Sequence, residues 1–177
     1  YSSAVAEDNS ERVRAREIGA VEMSYFEFLG EYRRDKFTIA VSGTHGKSTV
    51  TAMLGKALAD AGIDPTVIVG SKLKTFEYGN FRPGKSKYLV VEACEHMANF
   101  LHLNPNVLII TNIEADHLDY YKDLEDVVSA FQRLVDKLPK DGLLIYNGDD
   151  RASVELIEPR VASASWYCAA CAATASP

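Results

Sequence analysis

The sequence predicts an α/β fold, a mostly parallel sheet with helices on both faces, on three observations. Short β-branched apolar runs alternate with stretches whose apolar residues recur at helical spacing. One such run, Ile39 to Thr51 (IAVSGTHGKSTVT), breaks from a strand into a glycine loop and then into a helical pattern. Polar clusters follow the strands at their carboxyl ends, where open α/β sheets bind ligands.

Residues Tyr1 to Ser10 read as the end of a strand and a polar turn, with Asn9 or Ser10 capping a helix that begins near Glu11. Val13, Ile18 and Val21 are too sparse to enclose a core, so this segment must pack on something else. Met23 to Tyr32 is a second short helical pattern. Arg33, Arg34, Asp35 and Lys36 form a charged link, read as a solvated connector. Phe37 to Val41 is a buried strand, and Val50, Met53, Leu54, Ala57, Leu58 and Ala61 place a helix after the loop. Gly62 and Pro65 stop that helix near Ala61. Thr66 to Val69 is a short strand, and Ser71 to Lys87, with Gly79, Pro83 and Gly84, is a functional loop or a small hairpin. Strands follow at Tyr88 to Glu92, Val107 to Thr111 and Leu143 to Tyr146. Asp123 caps the clearest helix, which runs to Leu138 before Pro139 and Gly142. Ser163 to Pro177 loses periodicity and is read as a strand through Trp166 and Tyr167 with a tail.

A phosphate belongs at the junction after Val41. Gly43 and Gly46 let the backbone turn tightly and approach an anion. The amides of Thr44 to Ser48 are expected at a helix N-terminus, where unpaired N–H groups and the helix dipole favour negative charge. Lys47 supplies a cation for the outer phosphates, and the Ser48 hydroxyl suits Mg2+. The usual Walker pattern has a glycine where this chain has Val41, so GTHGKS is a shortened variant. Glu92 stands at a neighbouring strand end as a second Mg2+ ligand. His117, flanked by Asp116 and Asp119, is a candidate for a second metal or for the phosphoryl group. The loop, Glu92, the Asn112 to His117 segment and Asp149 are expected to share one crevice.

Composition narrows the class. The 177 residues, 47% hydrophobic and 25% charged, suit a soluble globular protein with one good core and some excess. Nineteen basic against 25 acidic residues give a net charge of -6, which argues against nucleic acid as a general partner but not against nucleotides. No stretch is long and apolar enough to span a membrane and no signal peptide opens the chain, so no membrane partner and a cytoplasmic setting are expected. Cys94, Cys168 and Cys171 are too few for a disulfide framework. Cys168 and Cys171 form a C-x-x-C pair, open to a redox reading but without the second pair or histidine of a zinc site. The chain starts at Tyr1 without an initiator methionine and is read as part of a longer protein.

At Thr111 to Tyr121, TNIEADHLDYY, a family resemblance becomes specific. Together with SGTHGKST, with EACEHMANFLHLNP from Glu92 to Pro105, and with YSSAVAEDN and NGDD, it resembles the Mur ligases over roughly residues 1 to 160. The resemblance implies a truncated P-loop central domain at 36–160, preceded at 1–35 by the last piece of a UDP-sugar-binding Rossmann-like domain and its linker, with 161–177 as a tail. It implies ATP and Mg2+ as cofactors and UDP-N-acetylmuramate and L-alanine as substrates of the full-length enzyme, joined through an acyl phosphate in peptidoglycan biosynthesis. Within the family, attachment of a recycled tripeptide to the same sugar stays open, and outside it a nucleotide-binding module without ligase activity.

Carried onto this chain, the resemblance makes Gly43, Thr44, His45, Gly46, Lys47, Ser48 and Thr49 the nucleotide loop. Lys47 would hold the β- and γ-phosphates, Ser48 and Glu92 the first Mg2+ and His117 the second. Asn112 and Glu114 would organise the loop at the acyl site, with His45 beside the phosphates or the sugar. Ser48 replaces the threonine of many relatives, and Cys94, His96 and Met97 replace their acidic or hydroxyl residues, so Glu95 receives no role. The third domain of such ligases is missing, and the chain alone is expected not to complete ligation.

Overall fold

Phe37–Ser42 (β1) is the central strand of the molecule, and its sequence shows why: Ala40 and Val41 are both fully buried, as a strand covered on both faces requires. The computed structural model describes residues 1–2, 4–157 and the backbone of 165–168. Around β1 lie Thr66–Ile68 (β2), Phe81–Arg82 (β3), Tyr88–Glu92 (β4), Val107–Ile110 (β5), Leu143–Tyr146 (β6) and Ser165–Cys168 (β7). Their order is β3-β2-β4-β1-β5-β6-β7, and every pair is parallel except β2–β3. Val41 lies opposite Glu92 on one side and Ile109 on the other, so β1, β4 and β5 reach the same rim together.

Alternation along the strands divides the core into two layers. Val67, Val69 and Val90 pack with Ile39 against Leu54 and Leu58 of the helix Lys47–Asp60 (α3). On the opposite face Leu89, Val91, Leu108, Ile110 and Leu144 meet three helices: Leu29 of Tyr25–Tyr32 (α2), Phe131 and Leu134 of Leu124–Val135 (α4), and Leu156 of Arg151–Ile157 (α5). Leu89 and Val91 face one way and Val90 the other, the period-two rule of a strand. Ser10–Glu17 (α1) buries none of its residues, as its sparse apolar pattern predicts. No helix among the described residues is long and apolar enough to cross a membrane.

The expected caps form. Asn9 Oδ1 accepts from the amides of Glu11 and Arg12, and Asp123 Oδ1 accepts from Asp126 N at 2.9 Å. Ala61 ends α3, with Gly62 at φ 79° just beyond. The helix expected from Met23 starts at Tyr25, behind a reciprocal capping box of Ser24 and Glu27. α4 stops at Val135 rather than Leu138. Lys137 and Leu138 instead make tighter i to i-3 bonds, because Pro139 disfavours helical backbone in the residue before it.

Residues 1–10 do not contain the expected strand end. Among the described residues of that segment, tight turns stand in its place, and Tyr1 is held by Met23 and Tyr25 rather than by the sheet, its N donating to Met23 O at 2.8 Å and its O accepting from Tyr25 N at 2.8 Å. The 71–87 connection returns as the short antiparallel β3, the hairpin alternative. The strand through Trp166 and Tyr167 forms as β7; Cys171 lies outside the described residues. Neither α5 nor the 3-10 segment His96–His102 was expected from periodicity, being too short to show one.

Gly55 sets the distance between α3 and the sheet. A β-carbon there would lie 2.7 Å from both γ-carbons of Val67. Alanine would return about 1 kcal/mol of helix propensity but overpack the contact by about 1–3 kcal/mol. Gly55→Ala is therefore expected to lower the melting temperature by about 2–4 °C. In a Val67→Ala background the same change should raise it, and thermal denaturation of the four proteins checks both signs.

Candidate functional site

The loop after β1 and the loop after β5 are clamped together at the rim. Gly43 has φ 129°, and Thr111 Oγ1 and Asn112 O occupy the space a side chain would need. Thr44 N donates to Asn112 O at 3.0 Å, and His45 N donates to Asn112 Oδ1 at 2.9 Å. Asn112 Nδ2 and Thr111 Oγ1 both donate to His45 O. Glu114 N donates to Thr44 Oγ1 at 2.9 Å. Asn112 thus shapes the phosphate loop itself, using both ends of its amide.

This clamp corrects the expected amide cradle. The Thr44 and His45 amides are spent on Asn112, so the donors left for an anion belong to the start of α3. Gly46, left-handed at φ 82°, is its N-cap, and no side chain caps the helix. The first-turn amides from Lys47 onward therefore face outward as unpaired donors. Thr51 Oγ1 donates to Lys47 O at 2.7 Å and ties down the first turn.

Lys47 folds back over the loop. Its Nζ donates to Gly43 O at 2.6 Å, to Thr44 O at 3.0 Å and to Glu95 Oε1 at 2.9 Å. Glu95, given no role from the sequence, is 2% exposed and central to the site. The signal that would have found it is its place three residues after Glu92, just past the end of β4 at the same rim. Tyr121 Oη donates to Glu95 O at 2.5 Å; burial pushes the Tyr121 phenol up to about 12, so it stays a donor at neutral pH. Tyr121→Phe is expected to cost about 1 kcal/mol, read from urea denaturation, because it removes one of the two bonds that Glu95 O accepts and leaves the one from Ala98 N.

Ser48 Oγ donates to Glu92 Oε2 at 2.9 Å, and the Gly70 amide donates to the same oxygen at 2.6 Å. Gly70 is where it is because a β-carbon would lie within 3.0 Å of the Glu92 carboxylate. Ser48 and Glu92 thus form one oxygen-donor pair of the kind Mg2+ prefers. His117 stands apart from that pair. Its Nε2 lies 3.5 Å from Glu95 Oε1, and it offers a ligand atom together with Glu95 and Asp116, all within 4.8 Å of one another. Glu95 Oε2 is buried with no partner, an acceptor suited to a cation. Of the two expected metal positions, Ser48 with Glu92 and His117, the second gains Glu95 as a neighbour, and Lys47 is bonded to that carboxylate.

His45 and Glu114 sit at the outer edge, 3.7 Å apart and exposed. Among the described residues, Asp149 makes a local bond from its amide to Asn147 Oδ1, and it is Asp150 that reaches the loop after β5, its Oδ2 accepting from Ile113 N at 3.1 Å. Burial raises the Cys94 thiol above its usual range, which keeps it protonated rather than nucleophilic at neutral pH.

Residues 41–167 match the model of the Mur ligase middle domain. The chain is 45% identical over 157 residues to the UDP-N-acetylmuramate–L-alanine ligase of Clostridium novyi, covering 88% of this chain and 34% of that protein. Among solved structures, it is similar to the UDP-N-acetylmuramate–alanine ligase of Thermotoga maritima, with a TM-score of 0.75 and 33% identity over 88% of this chain and 36% of that one. It is also similar to the UDP-N-acetylmuramate:L-alanyl-γ-D-glutamyl-meso-diaminopimelate ligase of Neisseria meningitidis, with a TM-score of 0.81 and 25% identity over 95% of this chain and 57% of that one. The chain spans about a third of the length of the curated relatives it matches.

Proposed function

Since the chain belongs to the Mur ligase family, we propose that it is the nucleotide-binding part of an ATP-dependent ligase that joins L-alanine to UDP-N-acetylmuramate in peptidoglycan biosynthesis. The observation that carries this reading is the convergence at one rim of the α3 amides, Lys47, the Ser48–Glu92 pair and the Glu95–His117 cluster. In the same reading residues 1–35 complete a preceding UDP-sugar domain and its linker, and 36–160 are the central ATP domain.

Each group then has a task. The first-turn amides of α3 and the ammonium of Lys47 hold the outer phosphates of ATP, and Lys47 exchanges the carbonyls of Gly43 and Thr44 for phosphate oxygens. Mg2+ held by Ser48 and Glu92, and a second ion at His117, would neutralise charge on the transferring group. The γ-phosphoryl passes to the carboxylate of the sugar's lactyl group, with ADP leaving. The amine of L-alanine attacks that acyl phosphate, and the tetrahedral adduct collapses to the amide with loss of phosphate. Asn112 and Glu114 keep the loop shaped for this geometry through their bonds to His45 and Thr44.

The 45% identity to an alanine ligase supports alanine over the tripeptide named for the Neisseria enzyme. Phosphate release by the intact protein with UDP-N-acetylmuramate and either amine tests it: turnover with L-alanine is expected, and turnover with tripeptide alone would overturn the alanine assignment. Glu92→Gln is expected to weaken Mg2+-dependent ATP binding by at least about tenfold, measured by calorimetry with and without Mg2+. Affinity unchanged by Glu92→Gln combined with His117→Ala would favour a nucleotide-binding module without ligase chemistry.

A further inference from the structure

His96 is absorbed by none of the roles above, yet it is aimed at the site. It follows Glu95 and precedes Met97 and Ala98, two consecutive residues in the left-handed region at φ 56° and 54°. Non-glycine residues rarely adopt that backbone, and a pair of them is a local distortion that turns the chain sharply behind His96. His117 is left-handed too, at φ 53°, its amide held by Asp116 Oδ1 at 2.7 Å. The outcome is two imidazoles with ring centroids 4.5 Å apart. Asp119 closes the group, because the turn bonds from Tyr120 and Tyr121 back to His117 O fold it toward the rings. His96 Nε2 lies 3.3 Å from Asp119 Oδ2.

We propose that His96, His117 and Asp119 form a binding site for a divalent first-row transition ion such as zinc or cobalt, distinct in its donor set from the Mg2+ positions. All three side chains present a ligand atom within 4.8 Å of the others. In a tetrahedral site with metal–nitrogen bonds of about 2.0–2.1 Å the ligand atoms lie about 3.3 Å apart, so the His96–Asp119 spacing is already that of a chelate. Two imidazoles and one carboxylate make a poor set for Mg2+, which prefers mostly oxygen ligands and keeps its waters, whereas zinc, cobalt and nickel take such a set readily. His96 and His117 are partly exposed and Asp119 is exposed, so an ion has a way in and room for a water as a fourth ligand. Because His117 is shared, an ion bound here competes with the second cation position. The site itself does not rest on the ligase reading, since it is assayed without ATP or sugar.

Cobalt titration of the purified protein tests this. One Co2+ per chain is expected, with the intense visible bands of four- or five-coordination, displaced by zinc and persisting in excess Mg2+. His96→Ala is expected to weaken binding by at least about tenfold, and Asp119→Asn to weaken it less, while both melt as the parent does. X-ray absorption at the zinc edge of the unmodified protein gives an answer that needs no variant: two imidazoles and no sulfur are expected. A sulfur shell at about 2.3 Å, a single imidazole, or cobalt affinity indifferent to His96→Ala in a folded protein would overturn the assignment.

Discussion

Lys47→Met is expected to weaken ATP binding by about 100-fold and to lower the stability of the free protein by about 3–5 kcal/mol. In the proposed reading, the first effect follows from the loss of charge-assisted bonds to the outer phosphates, each worth about 1.5–3 kcal/mol. The second is specific to this site. The Lys47 side chain is 13% exposed and that of Glu95 is 2% exposed, so removing the ammonium leaves a buried carboxylate with no counter-charge. Its other oxygen, Oε2, already lacks a partner, and the other basic group beside the carboxylate is the His117 imidazole, 3.5 Å from Oε1. Calorimetry for the nucleotide and urea denaturation for the fold separate the two effects. In Lys47→Met with Glu95→Gln the stability should largely return while the nucleotide affinity does not. If the single substitution were as stable as the parent, the Lys47–Glu95 pair would not be the buried contact described above.

Gly43→Ala is expected to destabilise the protein by about 2–6 kcal/mol and to abolish nucleotide binding, a larger effect than the same change at Gly46. Both glycines have positive φ, at 129° and 82°, but their surroundings differ. A β-carbon on Gly43 would lie 2.1 Å from Thr111 Oγ1 and 2.9 Å from Asn112 O, whereas on Gly46 the nearest atom is 3.9 Å away. Thr111 Oγ1 and Asn112 O are themselves committed, donating to His45 O and accepting from Thr44 N. The new carbon therefore strikes the clamp that shapes the loop. Gly46→Ala carries only the backbone penalty, about 1–2 kcal/mol. Thr111→Ala in the Gly43→Ala background should restore part of the stability, since it removes one of the two collisions. Equal losses at Gly43 and Gly46 in thermal denaturation would show that φ alone, not the contact with β5's loop, governs this position.

Much of the molecule was legible before any coordinates. The strands β1, β4, β5 and β6 are short apolar runs that carry their own address in the sequence; β1 and β4 bury consecutive residues on both faces, whereas the fully buried residues of β5 and β6 lie on one face and the other is only partly covered. The α3 and α4 boundaries were marked by local chemistry, the Gly62 stop and the Asp123 cap. Ser48, Glu92 and His117 were identified as candidate ligands because each follows a strand, and the parallel sheet brings strand ends to one rim.

What could not be read was partnership. Glu95 looks like any acidic residue in a polar segment; only folding shows that it is buried and bonded to Lys47, 48 positions away. Two positions, Ser48 with Glu92 and His117 apart, were already expected, whereas the pairing of His117 with Glu95 likewise depends on which rim loops touch. So does the exchange of Asp149 for its neighbour Asp150, a difference of one residue in a turn. The amino-acid order determines strands, helix ends and the phosphate loop because those follow from neighbours along the chain: hydrophobic period, caps and glycine φ. Which carboxylate faces which cation was decided by the register of β1 against β4 and β5, a long-range pairing that no local pattern encodes.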